Sequence, residues 1–303
     1  MKKWLSQLMF VLLAIGLLAG CGADTQQEDA VNVTDAVDNE IVLEEEPERI
    51  VSLIPSNTEI LFALGAGDKL VGRSDHDNYP PEVEDVEAIG GFEFDVEKII
   101  SLQPDIVLAH GSNATAEGLD QIRGADIQVA VVNDANSFED MYRAINFIAE
   151  ITNTKEEAEQ LISDMEARFA ELSEQAAAIP EEERQTVWIE ISNELYTTGK
   201  DTFMHEMLET IHAENVAGDT SGWPQFSEEQ VIAENPDVII GTYSSWVPDM
   251  VDQILNRPGW QDVTAVQEER VHDIDEDIVS RPGPRVVEGV EQLAKFIYPE
   301  VFN

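Results

Sequence analysis

The chain has 303 residues, of which 43% are hydrophobic, enough for two lobes with real cores and too many for global disorder. Lysine and arginine together number 17 against 62 aspartates and glutamates, a formal charge of -45. That field repels phosphate backbones and anionic headgroups, so it argues against nucleic-acid binding; the acidity reads as a solubility adaptation to a saline or alkaline medium.

Met1, Lys2 and Lys3 precede an apolar run from Leu8 to Leu18, which meets Ala19, Gly20 and Cys21. A basic start, a short apolar core and small residues at a cut site describe an export signal over residues 1–20. The run is shorter than the roughly 20 residues a membrane span needs. Leu18-Ala19-Gly20-Cys21 resembles a bacterial lipobox, and Cys21, the only cysteine, has no internal disulfide partner. Lipid attachment at Cys21 is expected, with residues 21–30 as an acidic tether that holds the body on the extracytoplasmic face of the cell membrane.

A first lobe is expected over residues 31–137. The alternation of Val31 to Leu43 around Asp38-Asn39 predicts a β-hairpin. Arg49 to Ile54 suits a buried strand, and Ser56 or Asn57 is expected to cap the helix that follows. Val71-Gly72 starts another strand, which runs into the polar loop Ser74 to Pro81. Val96 to Leu102 predicts a helix, and Ile106 to Ala109 and Val129 to Val132 predict strands. Strands alternating with short helices make an α/β lobe with a largely parallel sheet.

Residues 138–179 change character. Met141, Ile145, Ile148 and Ala149 give way, after Thr152-Asn153-Thr154, to Ala158, Leu161, Ile162, Met165, Phe169 and Leu172. The second set steps by three and four, which predicts a long amphipathic helix ending before Pro180. A second α/β lobe is expected over residues 180–303, with strands at Thr186 to Ile191, Val238 to Ile240 and Val271 to Ile274. Helices are expected at Thr202 to His212, Ser227 to Ala233, Met250 to Leu255 and Arg285 to Ile297. The lobes share a phrase, Ile99 to Leu108 against Val231 to Ile240, each a helix, then Pro-Asp, then a buried strand. The fold class is α/β: two similar Rossmann-like lobes joined by one long helix, with a ligand cleft between them.

Catalytic signatures are missing from the chain: no Gly-x-Ser-x-Gly, no phosphate-binding loop with Lys-Ser/Thr, and no His-Glu-x-x-His. His205 and His212 share a helix without a third ligand at a zinc-site spacing, so no metal site is assigned. His76 and His110 each follow a predicted strand, where open α/β sheets present ligand contacts. Tyr79, Phe92, Tyr196, Trp223 and Trp246, like Phe94 and Tyr243, fall in loops or at strand ends rather than on a regular stripe. Together they suit a wall for a large, flat, partly apolar ligand.

The segments Arg49 to Glu59, Asp77 to Pro81, Val96 to Ile100, Thr198 to Lys200, Trp223 to Gln225 and Ser280 to Arg285 resemble, in order, the helical-backbone solute-binding proteins of bacterial importers for cobalamin, haem and ferric siderophores. The resemblance is closest to the cobalamin-binding branch and covers residues 31–300. It implies a non-enzymatic monomer with no intrinsic cofactor, which carries a corrinoid, haem or an iron chelate to a dimeric ABC permease driven by a cytoplasmic ATPase. It also implies one docking glutamate per lobe. Glu97 holds that place in the first lobe; Ser280 stands at the matching position of the second, where Glu276 is the substitute. His76 replaces a tyrosine of the cobalamin branch, and glycines near Phe92 replace a tryptophan. A reading of another class, a tethered metal-dependent hydrolase, is disfavoured because no nucleophile or metal constellation is present.

Overall fold

The computed structural model describes residues 31–302. The expected export signal, Cys21 and the acidic tether lie outside the described residues. Among those described, no helix is long and apolar enough to cross a membrane.

The chain opens with the hairpin β1 (Val31–Thr34) and β2 (Glu40–Leu43), paired antiparallel with Val31 opposite Leu43. Alternate residues are buried, as a one-sided strand requires. Asp35 organises the turn by accepting from the Val37 and Asn39 amides, at 3.0 and 2.8 Å. It also accepts the Val131 amide at 3.0 Å, which ties the hairpin to the edge of the first lobe.

That lobe holds β3 (Ile50–Ser52), β4 (Leu70–Gly72), β5 (Ile106–His110) and β6 (Gln128–Val132) in a parallel sheet ordered β4-β3-β5-β6. The connections are α1 (Pro55–Ala63), α2 (Val96–Ser101) and α3 (Glu117–Arg123). Strands buried on both faces read as continuous apolar runs, which is why they were legible without alternation. The second lobe repeats the plan with β7 (Thr186–Glu190), β8 (Glu214–Asn215), β9 (Val238–Gly241) and β10 (Val271–Asp273), ordered β10-β9-β7-β8. In each lobe the second strand lies on one side of the first, and the third and fourth lie on the other.

The shared phrase does the same work in both lobes. Asp105 accepts the Glu48 and Arg49 amides, both at 2.9 Å, at the head of β3. Asp237 accepts the Thr186 amide and hydroxyl at 2.9 and 2.8 Å, at the head of β7. Each Pro-Asp therefore locks the start of its lobe's first strand to the start of the third.

Helices α4 (Phe138–Thr152) and α5 (Lys155–Ala176) are separated at Asn153, a left-handed residue at φ 57° that ends α4. α4 lies on the first lobe, and α5, about 33 Å long at its 22 residues, runs to the second. There it packs on α6 (Phe203–Thr210) and the final helix α11 (Val286–Ile297). One apolar core is shared by both lobes, running from Ile50 and Leu108 through Phe169 and Leu172 to Val187, Ile240 and Leu293. Phe138 stacks on Phe169 at 4.3 Å and meets Phe203 edge-on at 5.3 Å, so α4, α5 and α6 are pinned at one point. The other face of each sheet has its own cluster, around Val107 and Ile99 in the first lobe and around Trp188 and Ile239 in the second.

The remaining helices are α7 (Glu228–Glu234), α8 (Met250–Leu255), α9 (Thr264–Gln267) and α10 (Glu276–Ser280). Elements α3, β8, α9 and α10 are additional to those expected; at two to seven residues they are too short for a periodic signal. A correction concerns α1. It begins at Pro55, with no side-chain cap, so Ser56 and Asn57 lie inside the helix and are buried. Proline at the first position has no amide to satisfy and presets φ, which makes a cap at Ser56 unnecessary.

Candidate ligand site

The carboxyl ends of β3 and β5 are neighbours whose connections leave in opposite directions, the place where an open α/β sheet forms a crevice. A cavity of about 270 Å³ opens there. The first lobe supplies Leu53, Ile54 and Pro55 from the β3–α1 junction, His76 and Phe92 from the loops after β4, and Ser112 and Asn113 after β5. The second lobe closes it with α10, through Glu276, Asp277, Ser280 and Arg281.

The helix behind this crevice carries an unusual buried polar run. Asn57 donates its side-chain amide to the Ala109 carbonyl at 3.2 Å, fastening α1 to β5. Thr58 donates to Asp77 at 2.7 Å, fastening α1 to the loop after β4. Glu59, 3% exposed, reaches the other lobe. Its two oxygens accept a fork from Arg285 at 2.9 and 2.7 Å, and Arg281 adds a third bond at 2.9 Å. Arg281 also donates to Asn78 at 2.7 Å and to the His76 carbonyl at 3.1 Å, and pairs with Asp277 at 2.7 Å. Asn78 closes the ring by donating to Asp277 at 2.8 Å. Two guanidiniums set against two carboxylates, Glu59 and Asp277, with fully committed hydrogen bonds make a rigid, charge-balanced junction.

Asp77 is 4% exposed and its Oδ1 has no hydrogen-bond partner among the described residues. Burial pushes its pKa up to about 6, against the lowering effect of the Thr58 and Ser74 hydrogen bonds and the more distant Arg281 and Arg73.

The residues singled out in the sequence divide by position. His76 and Phe92 line the cavity, their rings meeting edge-on at 6.1 Å. Gly91 makes room for that imidazole: a Cβ there would lie 2.9 Å from His76 Nε2. Tyr79 lies under the Arg285 guanidinium, 4.3 Å from ring to charge, in a separate groove on the same lobe junction. His110 turns toward β6, with Nε2 3.1 Å from Asp134 and Nδ1 accepting the Ser112 amide at 3.2 Å. It shapes the turn that presents Ser112 and Asn113 and is not itself on the cavity wall. Burial holds its pKa down, against the raising effect of Asp134. Gly111 permits the pair, since a Cβ would fall 2.2 Å from the Asp134 carboxylate.

On the second lobe, Tyr196 accepts the Ile191 amide through its carbonyl, just past β7, and forms a bridge with Gln225 that brings Trp223 alongside. Trp246 follows β9 and lies over Tyr243, 6.2 Å away. Tyr196, Trp223 and Trp246 are 38, 49 and 54% exposed, and none of the three is among the residues that line the cavity. Beneath them Tyr243 donates to Glu190 at 2.5 Å, and Arg257 forks onto the same carboxylate at 2.9 and 2.7 Å. Glu190 is fully buried, and this cluster holds the ends of β7 and β9 rigid. Phe94 packs inward, against the position of Gly118.

Glu97 is exposed in the first turn of α2, on the outside of the first lobe. Glu276, the substitute expected for the docking contact of the second lobe, stands in the first turn of α10 and lines the cavity. Sequence reasoning missed Glu59, Arg281 and Arg285 as a cross-lobe unit, although all three stand in the segments that carry the resemblance. The available signal was the run Ser56 to Glu59, four polar residues opening a helix that must bury itself. Among the described residues no group of three or more His, Cys, Asp and Glu is placed to hold a metal ion.

Residues 50–278 match the periplasmic binding protein family. A relative from Bacillus subtilis (strain 168), an uncharacterized ABC transporter substrate-binding lipoprotein, YvrC, is 43% identical over the whole of both chains. A vitamin B12-binding protein of Pectobacterium atrosepticum is 29% identical, covering 82% of this chain and 87% of its own. Among solved structures, the periplasmic heme-binding protein RhuT from Roseiflexus sp. RS-1 is 29% identical, covers 84% of this chain and 99% of its own, and superposes with a TM-score of 0.75.

Proposed function

Since the chain belongs to the periplasmic binding protein family and is a solute-binding component of an ABC importer rather than an enzyme, we propose that it is a lipid-anchored receptor for a metal-bearing macrocycle, a corrinoid first and haem second. The observation that carries this reading is the cavity between the lobes, at the carboxyl ends of the first sheet, lined by His76 and Phe92 and closed by α10, in a protein whose second-lobe loops expose Trp223 and Trp246. Exposed faces of Phe92, Trp223 and Trp246 offer stacking area to a flat ligand, and large aromatic faces contribute most where they are already rigid. His76 on the cavity wall is the observation that favours haem, because imidazole is an axial ligand of haem iron.

The cargo then passes to a permease that Glu97 meets from the first lobe. Lipidation at Cys21 keeps the receptor beside it, and the acidic surface steers the encounter. Exposed charges are screened over about 10 Å at 0.1 M salt, so docking weakens as salt rises.

The test is an equilibrium titration of the protein with cyanocobalamin and with hemin, following tryptophan fluorescence and ligand absorbance. Saturable cyanocobalamin binding supports the corrinoid reading. A Soret shift with hemin that His76→Ala abolishes moves the cargo to haem, and binding of neither removes macrocycles from the proposal.

A further inference from the structure

The walls of the cavity carry an imbalance of charge that bears on which macrocycle enters. Of the cavity-lining residues, Arg281 is the one guanidinium, and Glu276 and Asp277 are the carboxylates. Arg281 is already spent on Glu59, Asn78, the His76 carbonyl and Asp277. Arg285, behind it, is spent on Glu59 and lies over the Tyr79 ring. Glu59 and Asp277 together balance Arg281 and Arg285, so that junction is neutral. Arg73, the remaining cation of the β4 loop, points its guanidinium at the Val83 and Ser74 carbonyls.

Glu276 is left over. Its carboxylate makes no hydrogen bond or ion pair among the described residues. Burial pushes its pKa up, Asp277 and Asp275 add to the effect, and Arg281 opposes it only in part. A half-buried carboxylate without a partner looks for a donor, and it repels another carboxylate brought to the same place.

We infer that Glu276 sorts cargo by the chemistry of its periphery, admitting a macrocycle edged with neutral amide donors and turning away one edged with carboxylates. This rests on the cleft being the macrocycle site, as proposed above. A corrinoid presents acetamide and propionamide groups whose N–H can donate to Glu276. Haem presents propionates, which would meet an uncompensated negative charge with no free guanidinium nearby. Like charges brought together across an interface cost enough to decide between otherwise similar ligands.

The experiment compares ligands that differ only at the edge. The protein is titrated with cyanocobalamin and with its monocarboxylic acid derivatives, then with hemin and its dimethyl ester. The wild type is expected to prefer each uncharged member by about tenfold or more. Glu276→Gln, which keeps the side chain's shape, is expected to shrink both preferences severalfold while leaving the far-ultraviolet circular dichroism unchanged. Equal affinity of the wild type for acid and neutral members overturns the sorting role while leaving the cleft as the macrocycle site. An undiminished preference in a folded Glu276→Gln protein overturns it too, by placing the selectivity elsewhere. Failure of all four probes to bind overturns the cleft reading and this inference with it.

Discussion

Glu59 and Arg285 lie 226 residues apart in sequence and form a two-pronged ion pair across the lobe junction, with bonds of 2.9 and 2.7 Å to a carboxylate that is almost wholly buried. Arg281, four residues earlier at the end of α10, binds the same carboxylate. The pair joins the first helix of one lobe to the last helix of the other, directly behind the cavity. Together with the shared core around α5, it opposes large hinge motion.

Removing the charge at Glu59 leaves the Arg285 guanidinium without its counter-charge and takes one of several acceptors from Arg281, and breaking a buried pair costs more than forming it gained. Glu59→Gln is expected to lower the unfolding free energy by about 3 kcal/mol, read from urea denaturation. A loss below about 1 kcal/mol, the range of exposed pairs, would show the junction to be solvated.

Asp77 makes stability depend on pH. Its folded pKa of about 6 lies above its ordinary value of 3.8, so the folded state holds the proton more tightly. The corresponding stability is fully present below about pH 3.8 and is lost as pH rises through about 6. Asp77→Asn is expected to flatten that part of the profile and to raise stability at pH 7.5 by about 1–2 kcal/mol. Unfolding midpoints between pH 4 and 8 check this, and an unchanged slope in the variant would assign the dependence to another group.

Gly289, in α11, sits where a Cβ would come 2.3 Å from the Ile278 carbonyl and 2.9 Å from the Met207 side chain. Gly289→Ala must push α10 away, and α10 is the second lobe's share of the cavity wall. An overpacking cost of about 2 kcal/mol is expected, with weaker ligand binding as the helix shifts. Binding as tight as wild type would mean that α10 does not touch the cargo.

Four tryptophans among the described residues fall into two classes. Trp188 and Trp260 are fully buried, whereas Trp223 and Trp246 are about half exposed in loops of the second lobe. Ligand quenching is expected to disappear in a Trp223→Phe, Trp246→Phe double variant, while the unfolding signal of the buried pair persists. Each single change to alanine is expected to weaken binding by about tenfold with stability altered by less than about 1 kcal/mol. Quenching that survives the double variant would move the ligand away from these loops.

The two-lobe architecture and its long connecting helix were legible in the chain because their signals are local. Buried parallel strands appear as Ile106 to Leu108 and Val238 to Ile240, Pro-Asp precedes each, and α5 shows its three- and four-residue steps over six turns of helix. Of the aromatics expected to form a ligand wall, Phe92 lines the cavity, while Tyr196, Trp223 and Trp246 stand exposed in loops of the second lobe. What only the tertiary structure decided is which strand ends face one another. His110 is satisfied by Asp134 from the loop after the neighbouring strand, Glu276 lines the cavity, and Glu59 finds Arg281 and Arg285 from beyond 220 residues away. Those pairings depend on strand order and on how the lobes seat around the shared core, and no periodicity within a single segment encodes them.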